Sequence, residues 1–118
     1  MKRSFEEFLP LTHVSYHVLL SLSYEARHGY GIIKDVADRT HGQVSMEAGT
    51  LYGAIKRLKD DGLIIESDAP TGADARRRYY ALTSTGESVL RDECRRLAQL
   101  VSYARDARVL PSNSALGG

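Results

Sequence analysis

Cysteine is nearly absent: Cys94 is the only one in 118 residues. One thiol excludes an intramolecular disulfide and a cysteine-based zinc cluster, and it fits a reducing cytoplasm. Long hydrophobic runs are missing too, since no apolar stretch approaches the roughly 18 residues needed to span a bilayer. The opening Met1-Lys2-Arg3-Ser4-Phe5-Glu6-Glu7 turns acidic where a secretory signal would continue apolar, so export is not expected. No Ser–His–Asp arrangement, glycine-rich phosphate loop or metal-ligand cluster is visible, so neither an enzyme nor a cofactor is expected. There is also little excess charge of one sign: 16 Lys plus Arg stand against 15 Asp plus Glu, a net +1. That is a weak footprint for a nucleic-acid partner, and cations would have to be gathered on one face instead. A symmetric dimer helps, because it offers two basic patches to one duplex.

What is present is an ordinary share of hydrophobic residues, 42%, in a chain long enough for one domain and an extra element. Phe5, Phe8 and Leu9 form an apolar arm over residues 1–10. Thr12 is placed to cap a helix with Val14, Val18, Leu19 and Leu22 facing inward. His28-Gly29-Tyr30-Gly31 breaks that helix. A second runs from about Gly31 to Arg39, with Ile32, Ile33, Val36 and Ala37 inward, and Gly42 follows its end. A third is predicted from Glu47 to Asp61, stopped by Gly62; Leu51, Ile55 and Leu58 recur at i, i+4 and i+7 as its buried stripe. Leu63 to Ser67 reads as a strand, 68–75 as a turn-rich loop, and Arg76 to Leu82 as the returning strand, making a two-stranded wing.

Thr83, or Ser84 with Glu87, starts a last helix reaching about Arg108. On it Leu90, Cys94, Leu97, Val101 and Ala104 are spaced four, three, four, three, the seam of a coiled coil. About 25 residues make a rod of roughly 37 Å, whose apolar stripe calls for a partner, most simply a second copy. Val14 and Val18 are assigned to the same dimer interface. Pro111 to Gly118 is small and polar, and disorder is expected there. The expected fold is mainly α with a small β-wing: a winged helix-turn-helix over 11–83, a dimerisation helix over 84–110 and a tail over 111–118.

The face of the third helix opposite its apolar stripe carries Thr50, Gly53 and Arg57, with Lys56 and Lys59 beside it. Hydroxyl, cation and a glycine permitting close approach suit the major groove, so Thr50, Tyr52, Gly53, Lys56 and Arg57 are assigned to DNA. Tyr52 has packing as its alternative. Tyr30 and Gly31 open the second helix, where N–H groups and the positive dipole end suit a phosphate; the alternative is that the glycines only permit a sharp corner. Arg76, Arg77 and Arg78 would reach the minor groove or its phosphates, with strand alternation turning one of them away and leaving at least one of Tyr79 and Tyr80 in the core. His13 and His17 stand at i, i+4, a possible two-ligand clip, but no third ligand can be assigned. Tyr16 and Tyr24 either line an effector cavity or belong to the core. Cys94 is either a small hydrophobe or an oxidant sensor bridging to its twin.

These residues carry a family resemblance. His28-Gly29-Tyr30-Gly31-Ile32, Gly49-Thr50-Leu51-Tyr52 with Lys56-Arg57-Leu58, Asp61-Gly62-Leu63-Ile64, Arg76-Arg77-Arg78-Tyr79-Tyr80 and Leu82-Thr83 with Gly86 resemble the PadR-like transcriptional regulators from about Leu11 to Ala104. The resemblance implies a homodimeric repressor, of the short single C-terminal helix subgroup, that binds a pseudo-palindromic operator and is released by a small, commonly aromatic effector. Two departures stand out: Gly53 replaces a proline common in the family, and the loop at 69–75 is unusually wide, with Asp68 before it and Asp74 within it. Tryptophan is absent, so a ligand pocket walled by tryptophan is not available. A second class of function, a winged-helix module that binds protein instead of DNA, remains open; the triple arginine favours DNA.

Overall fold

A computed structural model describes residues 5–111, running from a single 3-10 turn (Phe5–Phe8) through α1 (His13–Leu22), β1 (Arg27–His28), α2 (Gly29–Arg39), α3 (Ala48–Asp60), β2 (Ile64–Ser67), β3 (Tyr79–Leu82) and α4 (Ser84–Asp106). Local chemistry sets the helix starts. Thr12 Oγ1 accepts from the Ser15 N–H at 3.1 Å and opens α1. Thr83 does the same for α4, accepting from the Gly86 N–H at 3.0 Å while donating to the Gly62 carbonyl at 2.7 Å. The α2 start lies two residues earlier than the sequence reading placed it. His28 Nδ1 accepts from the Gly31 N–H at 2.9 Å, so histidine takes the capping role and Gly29 is already helical. Gly62, at φ 76°, ends α3 where expected.

The core joins Val18, Leu19 and Leu22 of α1, Ile32 and Val36 of α2, Leu51, Ile55 and Leu58 of α3, Leu63, Ile64 and Tyr80 of the sheet, and Val89 and Leu90 of α4. Two site assignments fail here. Val18 is fully buried and Leu90 nearly so within one chain, so neither can meet a second copy. The first turns of the supposed seam are instead spent covering α1.

The wing also differs. The sheet has three strands in the order β1-β3-β2, all antiparallel, because Arg27 and His28 pair with Tyr80 and Tyr79. A two-residue strand carries too little periodicity to be read from sequence. The returning strand begins at Tyr79, not Arg76. Arg76, Arg77 and Arg78 therefore precede the pleat, and all three side chains are exposed, so no alternation turns one inward. Tyr79 and Tyr80 are both buried, since the His28 ring meets Tyr79 edge-on at 5.3 Å on the β1 side.

Past Cys94, α4 leaves the core. Leu97 is half-buried, while Leu100 (48% exposed), Val101 and Tyr103 (58%) lie open. The helix stops at Asp106, two residues short of the expected end, with Arg108 at φ 63°. No helix among the described residues is long and apolar enough to cross a membrane. The expected tail beyond Pro111 and the first four residues of the arm lie outside the described residues.

Candidate nucleic-acid interface

The α3 periodicity divides the helix as the sequence predicts. Leu51, Ala54, Ile55 and Leu58 are buried, and Thr50, Tyr52, Gly53, Lys56 and Arg57 are exposed. The Arg57 guanidinium folds back toward Gly53: a β-carbon built on that glycine would lie 3.7 Å from Arg57 Nη1, an ordinary contact. Glycine here keeps the middle of the helix low, so backbone and cation present one surface.

Tyr52 takes both of its alternatives. Its hydroxyl end lies over Gly29, where any β-carbon would overlap it, yet 49% of the residue is exposed. It rests over the start of α2 while its ring edge remains available. Tyr30, 60% exposed, stands on that same start, parallel to the His28 ring at 6.3 Å, and the Arg77 guanidinium lies 5.9 Å from the Tyr30 ring centre. The fold thus gathers Tyr30, Tyr52 and Arg77 from three separate segments. Gly31 fares differently: its N–H is held by His28, so it is not a free donor for a phosphate. Burial, followed by the neighbouring Arg77, pushes the His28 pKa below its usual value, which keeps Nδ1 free to accept that bond.

Of the carboxylates interleaved with these cations, the sequence singles out Asp74 but not Asp60 or Glu66. Lys56 pairs with Asp60 at 3.1 Å. Glu66 Oε1 lies 3.6 Å from Lys59 Nζ and 3.4 Å from Arg78 Nη1, bridging α3 to the wing. Asp74 meets Arg76 at 3.1 Å and Arg77 at 3.8 Å. Hydrogen bonds from the Arg76 side chain and backbone hold the Asp74 carboxyl below its usual range. The Lys56–Asp60 spacing of i, i+4 was legible; the Glu66 contacts exist only once the strand folds back on α3. No ion pair joins Arg57 to a carboxylate of the described residues. Between α3 and the sheet, a groove of about 290 Å³ is lined by Tyr52, Lys56, Lys59, Asp60 and Tyr80.

Other candidates sit away from this face. The His13 and His17 rings meet edge-to-face at 4.6 Å, and no cluster of three or more potential ligands occurs among the described residues. Tyr24 lies beyond the end of α1, exposed, with the Arg39 guanidinium 4.1 Å from its ring centre, while Tyr16 faces the Cys94 sulfur at 4.0 Å. The two tyrosines therefore do not share a helix face. Cys94 is half-buried and packs against the core.

Residues 18–92 match the family model of the Transcriptional regulator PadR-like family. A PadR family transcriptional regulator of known structure from Eggerthella lenta is 32% identical, with 81% of this chain and 82% of that one covered and a TM-score of 0.61. A transcriptional regulator from Clostridium thermocellum is 24% identical, with 80% and 88% covered and a TM-score of 0.67. PadR from Bacillus subtilis, solved in complex with operator DNA, is 25% identical, with 67% of this chain and 45% of that one covered and a TM-score of 0.57.

Proposed function

The chain belongs to the PadR-like family of transcriptional regulators, and on that premise we propose that it is a homodimeric repressor whose two α3 helices enter successive major grooves of a pseudo-palindromic operator. The observation that carries the reading is the division of α3: its apolar stripe is buried while Thr50, Gly53, Lys56 and Arg57 all face outward. In this reading Arg57 and Lys56 pair with guanine edges, and Thr50 contacts a base or a phosphate through its methyl or hydroxyl group. Gly53 admits the DNA backbone. Tyr30, Arg76, Arg77 and Arg78 hold phosphates on either side and fix the register.

The exposed end of α4 supplies the second half of the reading. Leu97, Val101 and Ala104, with Leu100 alongside, form the stripe that a second protomer covers; Cys94 on the same helix and Val14 of α1, both half-buried, are assigned to the same interface. Two protomers joined there would set their α3 helices about one helical turn of DNA apart, ~34 Å. Release by a small aromatic effector belongs to the same proposal. It is supported by a groove of about 350 Å³ lined by Ser23, Leu82, Glu87, Leu90, Arg91 and Cys94, beside the proposed dimer stripe.

Replacing Arg57 by Ala should weaken operator binding by about 1–3 kcal/mol and leave the dimer intact. A footprint on the DNA upstream of the chain's own gene, with and without aromatic compounds, tests the site and the effector together. An unchanged Arg57→Ala footprint removes Arg57 from the recognition surface. DNA affinity that does not fall as salt rises would favour a protein partner on this face.

A further inference from the structure

We propose that Glu66 and Asp74 are built-in competitors for DNA phosphates, each occupying the cations that a duplex backbone would otherwise neutralise. The inference rests on the DNA-binding reading of α3 and the wing. Its starting point is the near balance of charge, net +1, in a chain whose exposed face presents a run of lysines and arginines.

Glu66 sits between cations of two different elements, Lys59 on α3 and Arg78 ahead of β3, with one carboxylate oxygen 3.6 Å and 3.4 Å away. Asp74 does the same at the tip of the wing for Arg76 and Arg77. All of these side chains are substantially exposed, between 37% and 91%. Pairs so open to water are weak and screened, so they can be exchanged instead of locking the cations away. A duplex, with one charge per roughly 1.7 Å of axis, is the stronger anion and displaces them.

Displacement leaves each carboxylate without its counter-charge beside the phosphates, and it must recruit a solution cation. The exchange lowers affinity for any duplex, whatever its sequence. Arg57, which no described carboxylate neutralises, carries no such handicap. Phosphate attraction is thus held down while Arg57, of the two proposed base readers, keeps its full charge; Lys56 is paired with Asp60 at 3.1 Å.

Glu66→Gln and Asp74→Asn test this in the full chain. Both keep an acceptor of similar shape, so the Asp74 contact to the Arg76 N–H (3.0 Å) is preserved, and unchanged melting curves would confirm intact folds. Fluorescence anisotropy would use two labelled duplexes: the DNA upstream of the chain's own gene, and a shuffled duplex of the same composition. Each variant should bind both duplexes about three- to tenfold more tightly, with similar gains on the two and a salt slope steeper by about one. Equal or weaker binding by both folded variants overturns the inference while leaving the DNA-binding reading in place. A wild-type chain that binds neither duplex at low salt overturns both. A gain confined to the upstream duplex also overturns it, because an anion that competes for phosphates has no sequence preference.

Discussion

Gly86 and Gly29 both lie in the first turn of a helix, yet their surroundings set them apart. A β-carbon on Gly86 would run into the Leu63 carbonyl oxygen, and a backbone group cannot step aside. Gly86→Ala should therefore destabilise the fold by about 2–3 kcal/mol in denaturant titrations. On Gly29 the obstacle is the hydroxyl end of Tyr52, which can swing out. Gly29→Ala should leave stability nearly unchanged but displace Tyr52 and alter DNA binding. A melt as damaged as that of Gly86→Ala would contradict this. Glu93 is the third residue whose role is set by contact. Only 2% exposed, it accepts from the Leu11 N–H at 2.8 Å and is gripped by Arg96, tying the N-terminal arm to α4. The Arg96 hydrogen bond first, then the bond from Leu11, holds its carboxyl below the ordinary 4.5 against the opposing effect of burial. On acidification the unfolded chain takes up this proton before the folded one. The stability Glu93 contributes is complete above that ordinary value and drains away as pH falls through the depressed folded one. Glu93→Gln should flatten the slope of stability against pH in that acid window. A slope identical to wild type would show that the carboxylate is not the titrating group.

At the scale of elements, α3 and α4 show two fates of an apolar stripe. On α3 the stripe lies wholly within one chain, so Thr50, Gly53, Lys56 and Arg57 stay exposed. On α4 the sequence repeat is continuous, but its neighbours change: Val89 and Leu90 meet the core, and Val101 lies outside it, 36% exposed. A substitution in the first part attacks the fold, and one in the second would attack the proposed dimer. Val101→Asp should convert dimers to monomers by sedimentation without lowering the monomer's melting temperature, since the residue is already 36% exposed. A dimer that survives Val101→Asp would place the interface elsewhere. The wing shows the complementary case. Its alternation is real in β3, but β3 is only four residues long, so the arginines ahead of it obey the loop and not the pleat.

For the molecule as a whole, the question is how a chain of net charge +1 holds a polyanion. Lys56, Arg57 and Lys59 of α3 and Arg76, Arg77 and Arg78 of the wing are exposed, and Asp60, Glu66 and Asp74 lie among them. One protomer makes few uncompensated contacts, so doubling the surface matters more than it would for a strongly basic domain. Operator affinity should consequently fall about a hundredfold or more in Val101→Asp, because the second site is no longer tethered to the first. A monomeric variant with undiminished affinity would show that one wing and one α3 suffice.

The helical part of this architecture was determined by the sequence alone, because it is written in local spacing. Leu51, Ile55 and Leu58 at helical period settle which face of α3 is buried, and with it which side chains point out. Thr12, Thr83 and Gly62 mark helix ends through bonds to residues a few positions away. Tertiary structure decided whatever depends on residues distant in the chain: the pairing of Arg27 and His28 with the tyrosines, the shelter of Tyr52 over Gly29, the burial of Leu90 and Glu93, and the bridge from Glu66 to Lys59 and Arg78. A period reports that a side chain seeks cover or solvent. Which neighbour supplies the cover, or neutralises the charge, is fixed only when the chain closes on itself.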